Sequence, residues 1–148
     1  MLEVDRAIAE LRHGRAVAIG DGERTLVVAA LETLSGALLD SLLAVGEPVV
    51  LLVTTERAQS AGLNGMSVGP VAISVRHSGD LGALKAYAGL NGLVSEFDPA
   101  LSIANWSGSR ALAAAGFRLA KVGRLVPALI GFECTRLVDR SVVTVSLE

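Results

Sequence analysis

The stretch that most constrains this chain is "PVVLLV", Pro48 to Val53. Its apolar run has no polar alternation, so it cannot lie on a sheet with one wet face. A strand of this kind is covered on both sides. The chain supplies helices that can do the covering. "VDRAIAELRHG" puts Val4, Ala7, Ile8 and Leu11 on one helical face, with Gly14 just past the end, where positive φ is wanted. "TLSGALLDSLLAVG" gives a second helix with Leu38, Leu39, Leu42 and Leu43 as its buried stripe and Thr33 as its expected cap. "GDLGALKAYAG", with Asp80 near its positive end, and "SRALAAAGFRLAKVG", closed by Gly123, read as two more. "TTERAQSAG" reads as a short helix capped by Thr54 or Thr55 and ended by Gly62.

Between these helices lie "RAVAI", "TLVVAA", "VAISV", "PALIGFE" and "SVVTVSL", all strand-like. The run from Leu90 to Ser107, with Asn91-Gly92, Asp98-Pro99 and Trp106, is expected to be mainly loop. Strands alternating with helices predict the α/β class, and an early hairpin makes the sheet mixed. One layered domain over residues 1–148 accounts for the whole pattern, and 148 residues suit one core.

Composition narrows the function classes. Thirteen Lys and Arg against fifteen Asp and Glu leave a net charge of −2, with no basic cluster to attract nucleic acid. Aromatics are 3% of the chain, too few for stacking platforms on single strands. No apolar run approaches the ~18 residues of a membrane span. Asp5, Arg6, Glu10 and Arg12 interrupt the N-terminus where a signal peptide would be apolar. A cytoplasmic protein is expected, and its lone Cys134 is expected to be a buried, reduced thiol.

"GDGER" is the first candidate site. Asp21 and Glu23 could ligate a cation, but magnesium asks for about six oxygens. Glycine and aspartate here also meet the backbone needs of a tight turn with no ligand at all. A hairpin tip is the preferred reading. His13, in the last turn of a helix, and His77, after a strand, have no second His, Cys or acid at ligand spacing, so structural roles are expected. No nucleophile elbow, Walker loop or dinucleotide fingerprint is present. In "NWSGSR", free N–H groups at a helix start and Arg110 could hold an anion. Capping by Ser107 or Ser109 explains the same residues and is preferred. Trp106 is expected to cover a core edge.

Five stretches in co-linear order carry a resemblance: "AIAELRHGRAVAI", "GDGER", "TTERAQSAGLNGM", "PALIGFE" and "VDRSVVTVSLE". Together they resemble the dihydroxybutanone phosphate synthases of riboflavin biosynthesis. "GDGER" is similar to the start of that family's acidic loop, D-D-E-D-R-E-N-E-G-D. "TTERAQSAGLNGM" follows its T-x-E-R and L-G-L-x-x-M pattern, and "HSGDLGAL" is similar to its S-x-x-D-R loop with the arginine missing. The resemblance implies a mixed α/β fold and an ancestral Mg2+-dependent carbon–carbon lyase that rearranges ribulose 5-phosphate and expels formate. It also implies a homodimer and, as in two-domain chains, a following GTP cyclohydrolase II domain.

The departures matter as much. Arg24 runs directly into Thr25-Leu26-Val27, where the family continues with the metal-binding glutamate. The family's G-H-T-E histidine, counted back from Pro127, falls in "RALAA", which has no histidine. The resemblance therefore leaves only a vestigial substrate-binding set. Arg24 matches a sugar-phosphate contact, Glu133 a substrate-contacting glutamate and Asp21 one loop acid; Arg110 joins them from its helix start. No catalytic residue, metal ligand or Mg2+ is assigned. A non-catalytic domain acting in dimerisation or in regulation alongside GTP cyclohydrolase II is expected. The alternatives are an active lyase on ribulose 5-phosphate or a related sugar phosphate, rebuilt around Arg24, Arg110 and Glu133, and a small-ligand sensor.

Overall fold

The computed structural model describes residues 2–54, 71–87, 102–103, 108–135 and 143–146. Among the described residues seven strands form one mixed sheet: β1 (Val17–Gly20), β2 (Thr25–Ala30), β3 (Val49–Val53), β4 (Val71–Val75), β5 (Ser102–Ile103), β6 (Ala128–Cys134) and β7 (Val143–Ser146). Their spatial order is β5-β4-β3-β6-β2-β1-β7. Every neighbouring pair is antiparallel except β1 with β7. The helices are α1 (Leu2–Arg12), α2 (Gly36–Leu43), α3 (Leu81–Tyr87) and α4 (Arg110–Val122).

All five residues of β3 are buried, as the unbroken apolar run demands. The pleat sends them alternately to opposite faces. Val49, Leu51 and Val53 join one core cluster with Leu39 and Leu42 of α2 and Leu84 of α3. Val50 and Leu52 join the other, with Ala7 and Leu11 of α1 and Leu112 and Leu119 of α4. The result is helix on sheet on helix. No polar or charged residue among the described ones is buried.

β6 is central, with β2 on one side and β3 on the other, and Gly131 faces a partner on each: Val28 and Val50. A Cβ at Gly131 would collide with the carbonyl oxygen of Val27 and lie 2.9 Å from the Val28 Cα. The backbones can approach this closely only at glycine.

One local expectation is corrected. Thr33 does not cap α2. It ends a 3-10 turn, Leu31–Thr33, and its hydroxyl donates to the Leu11 carbonyl at 2.6 Å, tying this segment to the end of α1. Ser35, in extended conformation, caps α2 instead by accepting from the Leu38 N–H at 3.1 Å. Within the Leu90 to Ser107 run, expected to be mainly loop, Ser102 and Ile103 pair with Ser74 and Ile73 as the short strand β5, and the rest of the run lies outside the described residues. Two polar-to-apolar residues are too few to carry a periodic signal. Gly123 ends α4 as expected, with φ of −77°, while Arg124 takes the positive φ of 59°. The glycine is there for closeness: a Cβ would sit 3.0 Å from Ile8 Cγ2 of α1. Gly14 does adopt φ of 76°, as its place after α1 requires. The expected helix in "TTERAQSAG" beyond Thr54 lies outside the described residues.

Candidate functional site

β1 and β2 are paired through Gly20 and Thr25, which leaves Asp21 to Arg24 as the connection. The Asp21 N–H donates to the Arg24 carbonyl at 3.1 Å, closing the loop around Gly22 and Glu23. Gly22 takes φ of 94°, a conformation side chains resist. Asp21 Oδ1 accepts from the Arg24 N–H at 2.8 Å and the Glu23 N–H at 2.9 Å. Those two bonds, from Arg24 first and Glu23 second, hold the carboxyl below the usual carboxylate range although it is fully exposed. The turn is a hairpin whose aspartate is spent on its own backbone.

The register of β2 against β6 sets Leu26 opposite Glu133 and Thr25 opposite Cys134, so Arg24 emerges beside Glu133. Alternation along β6 puts Glu133 on the same face as Leu129, and that face carries α4. Glu133 therefore meets the start of α4. Its Oε2 accepts the Ser109 N–H at 2.8 Å, and its Oε1 lies 3.4 Å from Arg24 Nη1. Ser109 in turn caps α4 by accepting from the Leu112 N–H at 3.2 Å. Ser109 thus confirms one of the two expected caps, while Ser107 and Trp106 lie outside the described residues. A carboxylate at a helix N-terminus is placed where free N–H groups and the helix dipole favour it. The Glu133 side chain is 16% exposed and Arg24 50%.

A polar cleft of about 350 Å³ opens at this junction, lined by Arg24, Glu47, Pro48, Gly108, Glu133, Cys134 and Thr135. Of the four residues singled out from the sequence, the structure brings Arg24 and Glu133 together. Asp21 stays at the hairpin tip, and Arg110 is exposed at the start of α4 and absent from the cleft lining. Cys134 is half-buried at the cleft rather than buried in the core, which corrects the sequence expectation; a thiol at a strand's end, past the last core residue Phe132, need not be covered. Glu47 and Thr135 had no sequence signal, since each is an ordinary residue beside a strand end. His13 lies just past α1, where Nδ1 donates to the Ala9 carbonyl at 2.7 Å. His77 is an exposed residue preceding a 3-10 turn.

The Mg2+ implied by the resemblance does not fit these residues. Asp21 is engaged by two backbone N–H groups, and both Glu133 oxygens already have protein partners. No three His, Cys, Asp or Glu among the described residues are grouped to hold a metal.

No protein-family profile matches the chain, and no curated protein matches it by sequence. A solved structure does match: RibBX, a two-domain 3,4-dihydroxy-2-butanone 4-phosphate synthase from A. baumannii, with a TM-score of 0.63 at 14% identity over 97% of this chain. The chain has a dihydroxybutanone phosphate synthase-like fold. It spans 55% of the length of RibBX, about half of that two-domain protein. Among the described residues no helix is long and apolar enough to cross a membrane.

Proposed function

We propose that this chain is a non-catalytic dihydroxybutanone phosphate synthase-like domain of riboflavin metabolism. It works as a homodimeric scaffold or regulator alongside a GTP cyclohydrolase II, in the cytoplasm. The single observation that carries the reading is the fate of Glu133. In the resemblance this position contacts substrate; here it joins β6, the hairpin and α4, through Arg24 and Ser109. A side chain so engaged orients the fold and is not itself free to hold a cation or move protons. Asp21 supports the same reading from the hairpin. Losing one electrostatic stabiliser alone costs about 10²–10³ in rate, and this chain lacks the family's two metal-ligand positions together.

The test is formate release from ribulose 5-phosphate with saturating Mg2+. No formate above the protein-free blank is expected, while stable co-migration with a cyclohydrolase II in size-exclusion chromatography is. Formate in proportion to protein would overturn the reading and favour the rebuilt lyase.

A further inference from the structure

We propose that an apolar pocket between α4, α1 and the β1–β7 edge of the sheet binds an aliphatic monocarboxylate, its tail inward and its carboxylate on Arg118. The pocket shares no lining residue with the polar cleft, so this site stands apart from the non-catalytic reading. Its volume is about 170 Å³, and its walls are Val4 of α1, Ile19 of β1, Leu119 and Val122 of α4 and Val145 of β7. Ile19 and Val145 are register partners in neighbouring strands, so their side chains share one face. On α4, Ala115, Leu119 and Val122 recur at helical spacing and form one stripe facing that edge. Val122 is left 65% exposed, one of two large hydrophobics so exposed among the described residues. An apolar cavity of about 150 Å³ stays dry and takes a benzene-sized guest. A slightly larger pocket, open on one side, suits a chain of roughly six to eight carbons.

The mouth of the pocket selects the head group. Arg118 and Ser146 are the polar residues of the described lining, and both are exposed. Arg118 makes no hydrogen bond or ion pair among the described residues. Glu3, the acid at this edge, accepts the Ser146 N–H at 2.8 Å and does not pair with Arg118. The wider surface has the same sign. α1 and α4 cover one face of the sheet, and residues 2–15 and 110–124 hold seven Lys and Arg against three acids, in a chain of net charge −2. Such a layer draws anions and turns cations away. A guanidinium at the rim of an apolar pocket then fixes the orientation: the tail leaves water while the carboxylate gains a charge-assisted partner. A neutral chain gains only the first of these, and an ammonium is repelled where the carboxylate is held.

The experiment is titration of the full chain with butanoate, hexanoate, octanoate and decanoate below their micellar concentrations, read by calorimetry and ¹H–¹³C methyl spectra. Octan-1-ol and octylammonium are the controls, and the proteins are the parent, Arg118→Gln and Ala115→Leu. Arg118 is exposed, so its replacement leaves the core intact; circular dichroism establishes that both variants are folded. Octanoate is expected to saturate a single site and to shift the methyls of Ile19, Val122 and Val145. Affinity should rise by up to about fourfold per added methylene as far as octanoate, then level off once the pocket is full. Arg118→Gln should weaken octanoate about fivefold and leave octan-1-ol unchanged. Ala115→Leu fills the pocket and should abolish both. No saturable octanoate binding by the parent, methyl shifts away from the pocket, octylammonium bound as tightly as octanoate, or Arg118→Gln binding octanoate like the parent overturns the inference. Formate release bears on the non-catalytic reading alone.

Discussion

Replacing Glu133 by alanine separates a structural carboxylate from a catalytic remnant. The substitution strips the acceptor from the Ser109 N–H, bonded at 2.8 Å and partly buried. Leaving such a donor unmet costs about 1–3 kcal/mol. It also releases Arg24, but that guanidinium is 50% exposed at 3.4 Å, so the ion pair adds only about 0.2–1 kcal/mol. The expected total is roughly 2 kcal/mol, the Ser109 bond being the larger part. For a chain of this length each kcal/mol moves Tm by about 3 °C, so a drop of roughly 6 °C is expected. Glu133→Gln keeps an acceptor and should cost about half as much; Arg24→Ala should cost under about 1 kcal/mol. Urea denaturation of the four proteins, with Arg24→Ala/Glu133→Ala closing the cycle, gives these values directly. If Glu133→Ala matches the parent in stability, or Arg24→Ala costs more than Glu133→Ala, the assignment of Glu133 as the anchor of α4 is wrong.

Other expectations follow from the same contacts. Gly131→Ala sets a Cβ against the Val27 backbone in the central strand, where no rotamer change relieves it, and should cost about 3 kcal/mol or prevent folding, read by thermal melting. At Gly116 the obstacle is the flexible Leu129 Cδ1 at 2.7 Å, so Gly116→Ala should be milder, about 1 kcal/mol net, in the same assay. Ser35→Ala removes the cap of α2 and should cost about 1 kcal/mol in chemical denaturation. Asp21 has its folded carboxyl depressed by the Arg24 and Glu23 N–H groups. Its contribution is present above the ordinary carboxylate pKa and is lost as pH falls through the depressed folded value. Asp21→Asn should flatten that acid limb of the urea midpoint against pH, and an unchanged limb would refute it.

The fold was legible where burial leaves a mark on composition. Val49 to Val53 announced a strand covered twice, and Leu39 with Leu42 announced the helix face that covers it. The hairpin at Asp21 was legible because turn backbone demands particular residues. What escaped was set by tertiary contact. Thr33 looked like a cap, yet its hydroxyl reaches Leu11, twenty-two positions away. Gly123 was legible as the end of its helix, but not its close contact with Ile8. In the site, Arg24 and Glu133 were marked as substrate contacts, and only the register of β2 with β6 shows that they meet each other. Arg110 carried the charge an anion site wants, but the first helical position points it to solvent.

The claim beneath all of this is that Asp21 of the hairpin and Glu133 of the late strand are engaged by the protein itself. Manganese titration followed by electron paramagnetic resonance tests it most directly, since bound Mn2+ loses the sharp six-line signal of the free ion. The account predicts that the full signal persists when excess protein is added, in the parent and in Glu133→Gln alike. A stoichiometric loss of signal in the parent that Glu133→Gln abolishes would contradict it.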